Sequence, residues 1–142
     1  MREMKTAELI GPALDWATFC AVYPGVQPTI NIIPASSVER KPFFKPIQFP
    51  KAVYLSYSGA YDAEIRWSPS ADWEQGGPLI HKYGCDLNCI ALANCWESNC
   101  WDDDLPTPDL HLMEGETPLI AACRAIVRAK IGRTVQVPDD LA

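Results

Sequence analysis

Nowhere in these 142 residues do apolar side chains run on for eighteen positions, so no segment is built to span a bilayer as a helix. The first ten residues, MREMKTAELI, lack an apolar core ending in a small-residue cleavage site, and a secretory signal is not expected there. Histidine is scarce, at two residues, and the chain carries no GxSxG, P-loop, HExxH or GxGxxG. Those absences remove the sequence signatures of serine hydrolases, NTPases, zinc proteases and dinucleotide-binding enzymes. Positive charge is short as well, with 12 Lys and Arg against 18 Asp and Glu, a net of −6. Such a chain has no global attraction for nucleic acid or anionic membrane, because phosphate binding needs a positive footprint.

What is present belongs to a soluble globular protein. Apolar residues at 48% and charged residues at 21% lie near the averages for such domains, and the length suits a single domain with its own core. With no export signal expected, the six cysteines read as reduced thiols in a cytosol rather than a disulfide framework.

Periodicity places the elements. Pro12 suits a first helical position, and Ala13, Trp16, Ala17 and Cys20 repeat on one face, predicting a helix over 11–21 that Pro24-Gly25 stops. Residues 24–50 hold six of the thirteen prolines, which favours extended polyproline-like chain on the surface. Inside this insertion, ERKPFFKPIQFPK interleaves Arg40, Lys41, Lys45 and Lys51 with Phe43, Phe44 and Phe49. It reads either as a basic-aromatic arm that grips a partner or as a segment tucked onto the domain. Val53, Leu55 and Tyr57, then Ala63, Ile65 and Trp67, alternate with polar neighbours and predict an antiparallel hairpin. Gly77, Pro78 and Gly84 bracket a short helix over 78–83. A third strand is expected from Cys89 to Trp96, and a fourth from Asp109 to Met113 with Leu110 and Leu112 inward. Thr117 and Pro118 open the clearest helix, whose stripe of Leu119, Ile120, Cys123, Ile126, Val127 and Ile131 ends at Gly132. The order α-β-β-α-β-β-α predicts one α+β domain over 1–142, a sandwich of helices packed on a small, mainly antiparallel sheet.

Three constellations could carry chemistry. Cys85, Cys89, Cys95 and Cys100 fall within sixteen positions, but neither gap has the CxxC spacing of a zinc knuckle. On one strand Cys89 and Cys95 would stand about 20 Å apart, at roughly 3.3 Å per residue. Zinc, the one cofactor to consider, therefore competes with plain buried and surface thiols. The acidic, Cys-rich segment over 85–116 includes Asp102-Asp103-Asp104, which lacks the ligand pattern of an EF-hand and reads as a solvated loop. The third is WSPSADWEQGGP, residues 67–78. Asp72 and Gln75 fit a capping box, so the stretch can be mere punctuation between a strand and a helix. Trp67 and Trp73 beside Ser68, Ser70 and the pair Gly76-Gly77 also have the makings of a small-ligand pocket.

Three blocks, MKTAELIGPALDWA, WSPSADWEQGGPLI and GETPLIAACRAIVRAKIGRTVQVPDDL, resemble in that order the NinX-like family of small proteins from lambdoid phages and prophages. The family's usual start resembles Met4-Lys5, so Met1 to Glu3 read as an upstream extension. The cysteine cluster and the length of the 24–50 insertion lie outside the family pattern. That pattern falls on Asp15 and Trp16, on Ser68, Pro69, Ser70, Asp72, Trp73, Gly76, Gly77 and Pro78, and on Thr117, Pro118 and Arg124. The resemblance implies a phage-encoded accessory protein in the host cytoplasm, with Asp15-Trp16 and Asp72-Trp73 flanking one groove. On this reading the ligand-binding residues are Asp15, Trp16, Trp67, Ser68, Ser70, Asp72, Trp73, Gly76, Gly77, Thr117 and Arg124. The partner is a host defence protein or a small nucleotide-like ligand, and a homodimer is open. A zinc or thiol interaction module and a hydrolase of a signalling nucleotide are the alternatives.

Overall fold

A computed structural model describes residues 1–42, 44–101 and 110–142. In chain order the first half holds β1 (Arg2–Lys5), α1 (Gly11–Val22), β2 (Thr29–Ile33), β3 (Ser36–Val38), β4 (Ile47–Phe49), β5 (Ala52–Ser58) and β6 (Glu64–Trp67). The second half holds α2 (Trp73–Lys82), β7 (Asn88–Ile90), β8 (Cys95–Ser98), β9 (Met113–Gly115), α3 (Pro118–Lys130) and β10 (Thr134–Val137). The fold is α+β, and among the described residues the strands form four small antiparallel sheets ordered β1-β10, β2-β5-β6, β3-β4 and β7-β8-β9.

The core forms around α1. Its buried residues, from Ala13 and Leu14 through Trp16 and Phe19 to Val22, cover every side of the helix rather than the one face its spacing suggested. A helix that is apolar all round must be enclosed, and α1 packs on α3, β5 and β10. α3 shows the expected amphipathic pattern, with Leu119, Cys123, Ile126 and Val127 buried and Ile131 at the exposed end. The Thr117 hydroxyl accepts the Ile120 N–H at 3.2 Å, and Pro118 occupies the first turn, so both ends of the start signal operate.

The structure differs from expectation at five places. Residues 24–50 are not polyproline-like throughout, because Thr29–Ile33 pairs with β5 in the register Ile30↔Leu55 and Ile32↔Val53. β2 is an edge strand flanked by Pro28 and Pro34, where proline breaks no ladder. The Cys89–Trp96 run is two strands, since Asn94 adopts a left-handed conformation at φ 51° and folds β7 back on β8. The last strand of that sheet begins only at Met113. Leu110 and Leu112 are exposed while His111 is buried, the reverse of the expected phase, and Asp109 lies outside the described residues. α2 starts at Trp73, so Pro78 sits inside it and leaves the Glu74 carbonyl without its helical N–H. Finally, residues 2–5, for which the sequence pattern predicts no element, form a strand. They pair with β10, Arg2↔Val137 to Lys5↔Thr134, and join the two ends of the chain.

α2 reaches its place because Gly76 lets it approach closely. A Cβ there would stand 2.5 Å from both the Pro69 carbonyl oxygen and Leu119 Cδ2. Gly77, one residue on, has nothing within 4 Å. Gly76→Ala is expected to lower unfolding free energy by about 1–3 kcal/mol through overpacking. Gly77→Ala should raise it by about 0.5–1 kcal/mol through helix propensity and a less flexible unfolded chain. Urea titration of the two variants checks the contrast.

Candidate functional site

The turn between β6 and α2 is folded onto α1 by three side chains. Trp67 donates its ring N–H to the main-chain carbonyl of Asp15 at 2.8 Å. The Ser70 amide donates to the Asp15 carboxylate at 2.9 Å. Gln75 holds the turn from the other side, accepting the Ser68 N–H at 2.7 Å and donating to the Arg66 carbonyl. Asp72 caps α2 by accepting the Glu74 N–H at 2.9 Å. The capping box is therefore half formed, since Gln75 reaches back to Ser68 and not to Asp72.

These contacts wall a cleft of about 260 Å³ lined by Gly11, Pro12, Asp15, Tyr54, Arg66, Trp67, Ser68 and Ser70, with Val53, Leu55 and Ala71 at its sides. α1 begins at this wall, and Ile10 supplies no side-chain cap to its first N–H groups. Arg66 lies over the Tyr54 ring at 5.3 Å. Larger cavities exist, including one of about 490 Å³ lined by Phe19, Tyr23 and Tyr57. Trp67 packs edge-on against Phe19 and Tyr57, so the two cavities share an aromatic wall.

Asp15 distinguishes the smaller cleft. The residue is 5% exposed, and no lysine or arginine forms an ion pair with it among the described residues. Burial pushes its carboxyl up to about 6, against the opposing pull of the Ser70 N–H, the Ser70 hydroxyl and the Arg66 charge. A carboxylate kept dry and incompletely compensated beside a cleft is the arrangement expected of a binding group.

The other expected site residues are dispersed. Trp16 belongs to the core, and Trp73 is half exposed at the start of α2 without lining the cleft. Gly76 serves packing, and Gly77 faces open space. Thr117 caps α3. Arg124 ties the chain together, donating from Nε to the Leu9 carbonyl at 2.9 Å and from its terminal nitrogen to the Glu114 carbonyl at 2.8 Å. Of the residues named from the sequence, Asp15, Trp67, Ser68 and Ser70 line this cleft, while Trp16, Asp72 and Trp73 stand outside it. Arg66 and Tyr54 were missed; their outward positions on adjacent strands were the available signal.

The four clustered cysteines separate into pairs. Cys85 and Cys100 face each other in an isolated antiparallel bridge, and a hydrogen bond between the thiols, then burial, pushes Cys85 far up. Cys89 and Cys95 lie on the β7–β8 hairpin, where Cys89 is opposite Trp96 and Cys95 opposite Ile90. Among the described residues, no three His, Cys, Asp or Glu side chains are grouped to hold a metal ion. Asp102-Asp103-Asp104 lies outside those residues.

A family model described as Bacteriophage P22, NinX matches residues 5–130. The chain belongs to that family. The NinX match spans every residue of the cleft, whereas β10 and most of β1 lie beyond it. No curated protein matches the chain. Family membership makes this a bacteriophage accessory protein, and among the described residues no helix is long and apolar enough to cross a membrane.

Because the carboxyl of Asp15 titrates at about 6 in the fold and at 3.8 ordinarily, the folded state holds its proton more tightly. The stability tied to this group is complete below about pH 4 and is lost as pH rises through about 6. The loss is about 3 kcal/mol, at roughly 1.4 kcal/mol per pKa unit. Asp15→Asn should therefore be the more stable protein at pH 7, with the difference shrinking towards pH 4. Denaturant midpoints of both proteins across that range measure it.

Proposed function

We propose that this phage protein is a non-enzymatic binder that sequesters a small nucleotide-like molecule in the Asp15 cleft, as a countermeasure to a host defence signal. The single observation that carries the proposal is the buried Asp15 carboxylate, held at a cost in stability next to an open cleft. At neutral pH that carboxylate is an acceptor suited to ligand hydroxyl or amino groups, such as the two hydroxyls of a ribose. Ser68 and Ser70 line the same cleft and add hydroxyl groups. The Arg66 guanidinium and the uncapped start of α1 provide favourable ground for a phosphate. Val53, Pro12 and the Tyr54 side chain in the lining offer apolar surface to a base or sugar. A volume of about 260 Å³ suits one nucleoside-sized group and is too small for a dinucleotide.

The test starts from the purified protein. Denaturation and mass spectrometry of the released small molecules should yield an intact phosphorylated nucleoside; hydrolysed fragments would instead mark the cleft as a hydrolase site. A panel of nucleoside phosphates should raise the melting temperature, because a ligand at a hundred times its dissociation constant adds about 2.7 kcal/mol. For a chain this long that is about 6–10 °C. The shift should weaken below pH 6 as Asp15 is protonated, and Asp15→Asn or Arg66→Ala should reduce it at least tenfold in affinity. No release and no shift across the panel would refute the proposal.

A further inference from the structure

The hairpin β3–β4 is a two-stranded sheet of its own, and all six of its residues are exposed. Its principal contacts are internal. Arg40 donates to the Lys45 carbonyl at 2.9 Å and lies over the Phe44 ring at 5.4 Å. A hairpin with no third strand or helix against it is marginal in water. This one also shows Val38, Phe44 and Phe49 to solvent, each about half exposed or more. Its charge is set against the rest of the molecule. Residues 36–51 carry four cations and one carboxylate, a net of +3 in a chain of −6, which leaves −9 elsewhere.

A complementary surface lies on the same molecule. In the β8–β9 pair, Glu97 stands directly opposite Glu114. Like charges facing each other across a ladder destabilise it, and among the described residues neither carboxylate takes part in a salt bridge. A hairpin lacking an apolar cover and a facing pair of carboxylates with no salt-bridge partner among the described residues are matched needs.

We propose that the β3–β4 arm docks on the β8–β9 face of a second copy of this chain. Lys41 and Lys45 pair with Glu97 and Glu114 of the second copy, and the apolar side chains of the arm are covered. Two-fold exchange, each chain giving an arm and receiving one, closes the assembly as a dimer.

Sedimentation of the full chain at low salt tests this directly. A dimer is expected at about 0.05 M salt, weakening at least tenfold by about 0.5 M as the charges are screened. Lys41→Glu with Lys45→Glu should give a monomer, and so should Glu97→Lys with Glu114→Lys. Mixing the two variants should restore the dimer, because both interfaces of the mixed pair regain opposite charges. Should the lysine variant fail to fold by circular dichroism, Glu114→Gln replaces it; it should weaken the dimer while stabilising the monomer. A monomeric parent chain at low salt would overturn the proposal. So would a mixture of folded variants that stays monomeric, or a monomer whose arm shifts a single-stranded oligonucleotide instead.

Discussion

The architecture depends on how a helix buried on every side accommodates one carboxylate. Asp15 sits within α1, and its main-chain carbonyl and one carboxylate oxygen are both used by the same turn. Its main-chain carbonyl takes the Trp67 ring N–H, and its side chain takes the Ser70 amide. These two bonds dock the end of the β5–β6 hairpin on the helix. The rest follows in sequence: Trp67 is fixed edge-on to Phe19 and Tyr57, Gln75 closes the turn, and Asp72 starts α2. Gly76 then lets α2 lie against Pro69 and Leu119 of α3. A structural role alone would be met by the Asp15 main chain and an uncharged side-chain acceptor. Keeping an ionisable group there costs stability at neutral pH, and that surplus cost is the reason to assign the cleft a ligand.

Those elements whose physics is local could be read in the sequence. The α3 stripe, its Thr117-Pro118 start and the 53–67 hairpin all rest on periodicity and capping within a few residues, and the structure places them as expected. The α1 boundaries were legible too, but its burial all round was not, because Asp15 and Thr18 read as polar and both lie in the core. Thr18 is accommodated by donating to the Leu14 carbonyl at 2.8 Å. The β1–β10 pairing joins residues more than 125 positions apart, and no local pattern in four residues announces such a partner. The break at Asn94 was hidden because a left-handed residue inside an apolar run leaves alternation intact on either side.

Half of the candidate site was legible. The 67–78 stretch divides by residue: Ser68 and Ser70 line the cleft, while Asp72, Trp73 and Gly76 start and seat α2. For Arg66 and Tyr54 the outward phase of the two strands was legible, but the pairing that sets the ring beneath the guanidinium was not. The NinX family match covers the whole cleft and the 66–70 turn, while the terminal sheet falls largely outside it.

The proposed function rests on Asp15 as a dry, incompletely compensated carboxylate beside the cleft. Carbon-13 NMR titration of the Asp15 side-chain carboxyl in the isolated protein measures this most directly. A midpoint near 6 that falls when a nucleoside phosphate occupies the cleft is expected. A midpoint near 4, unmoved by any member of the panel, would contradict it.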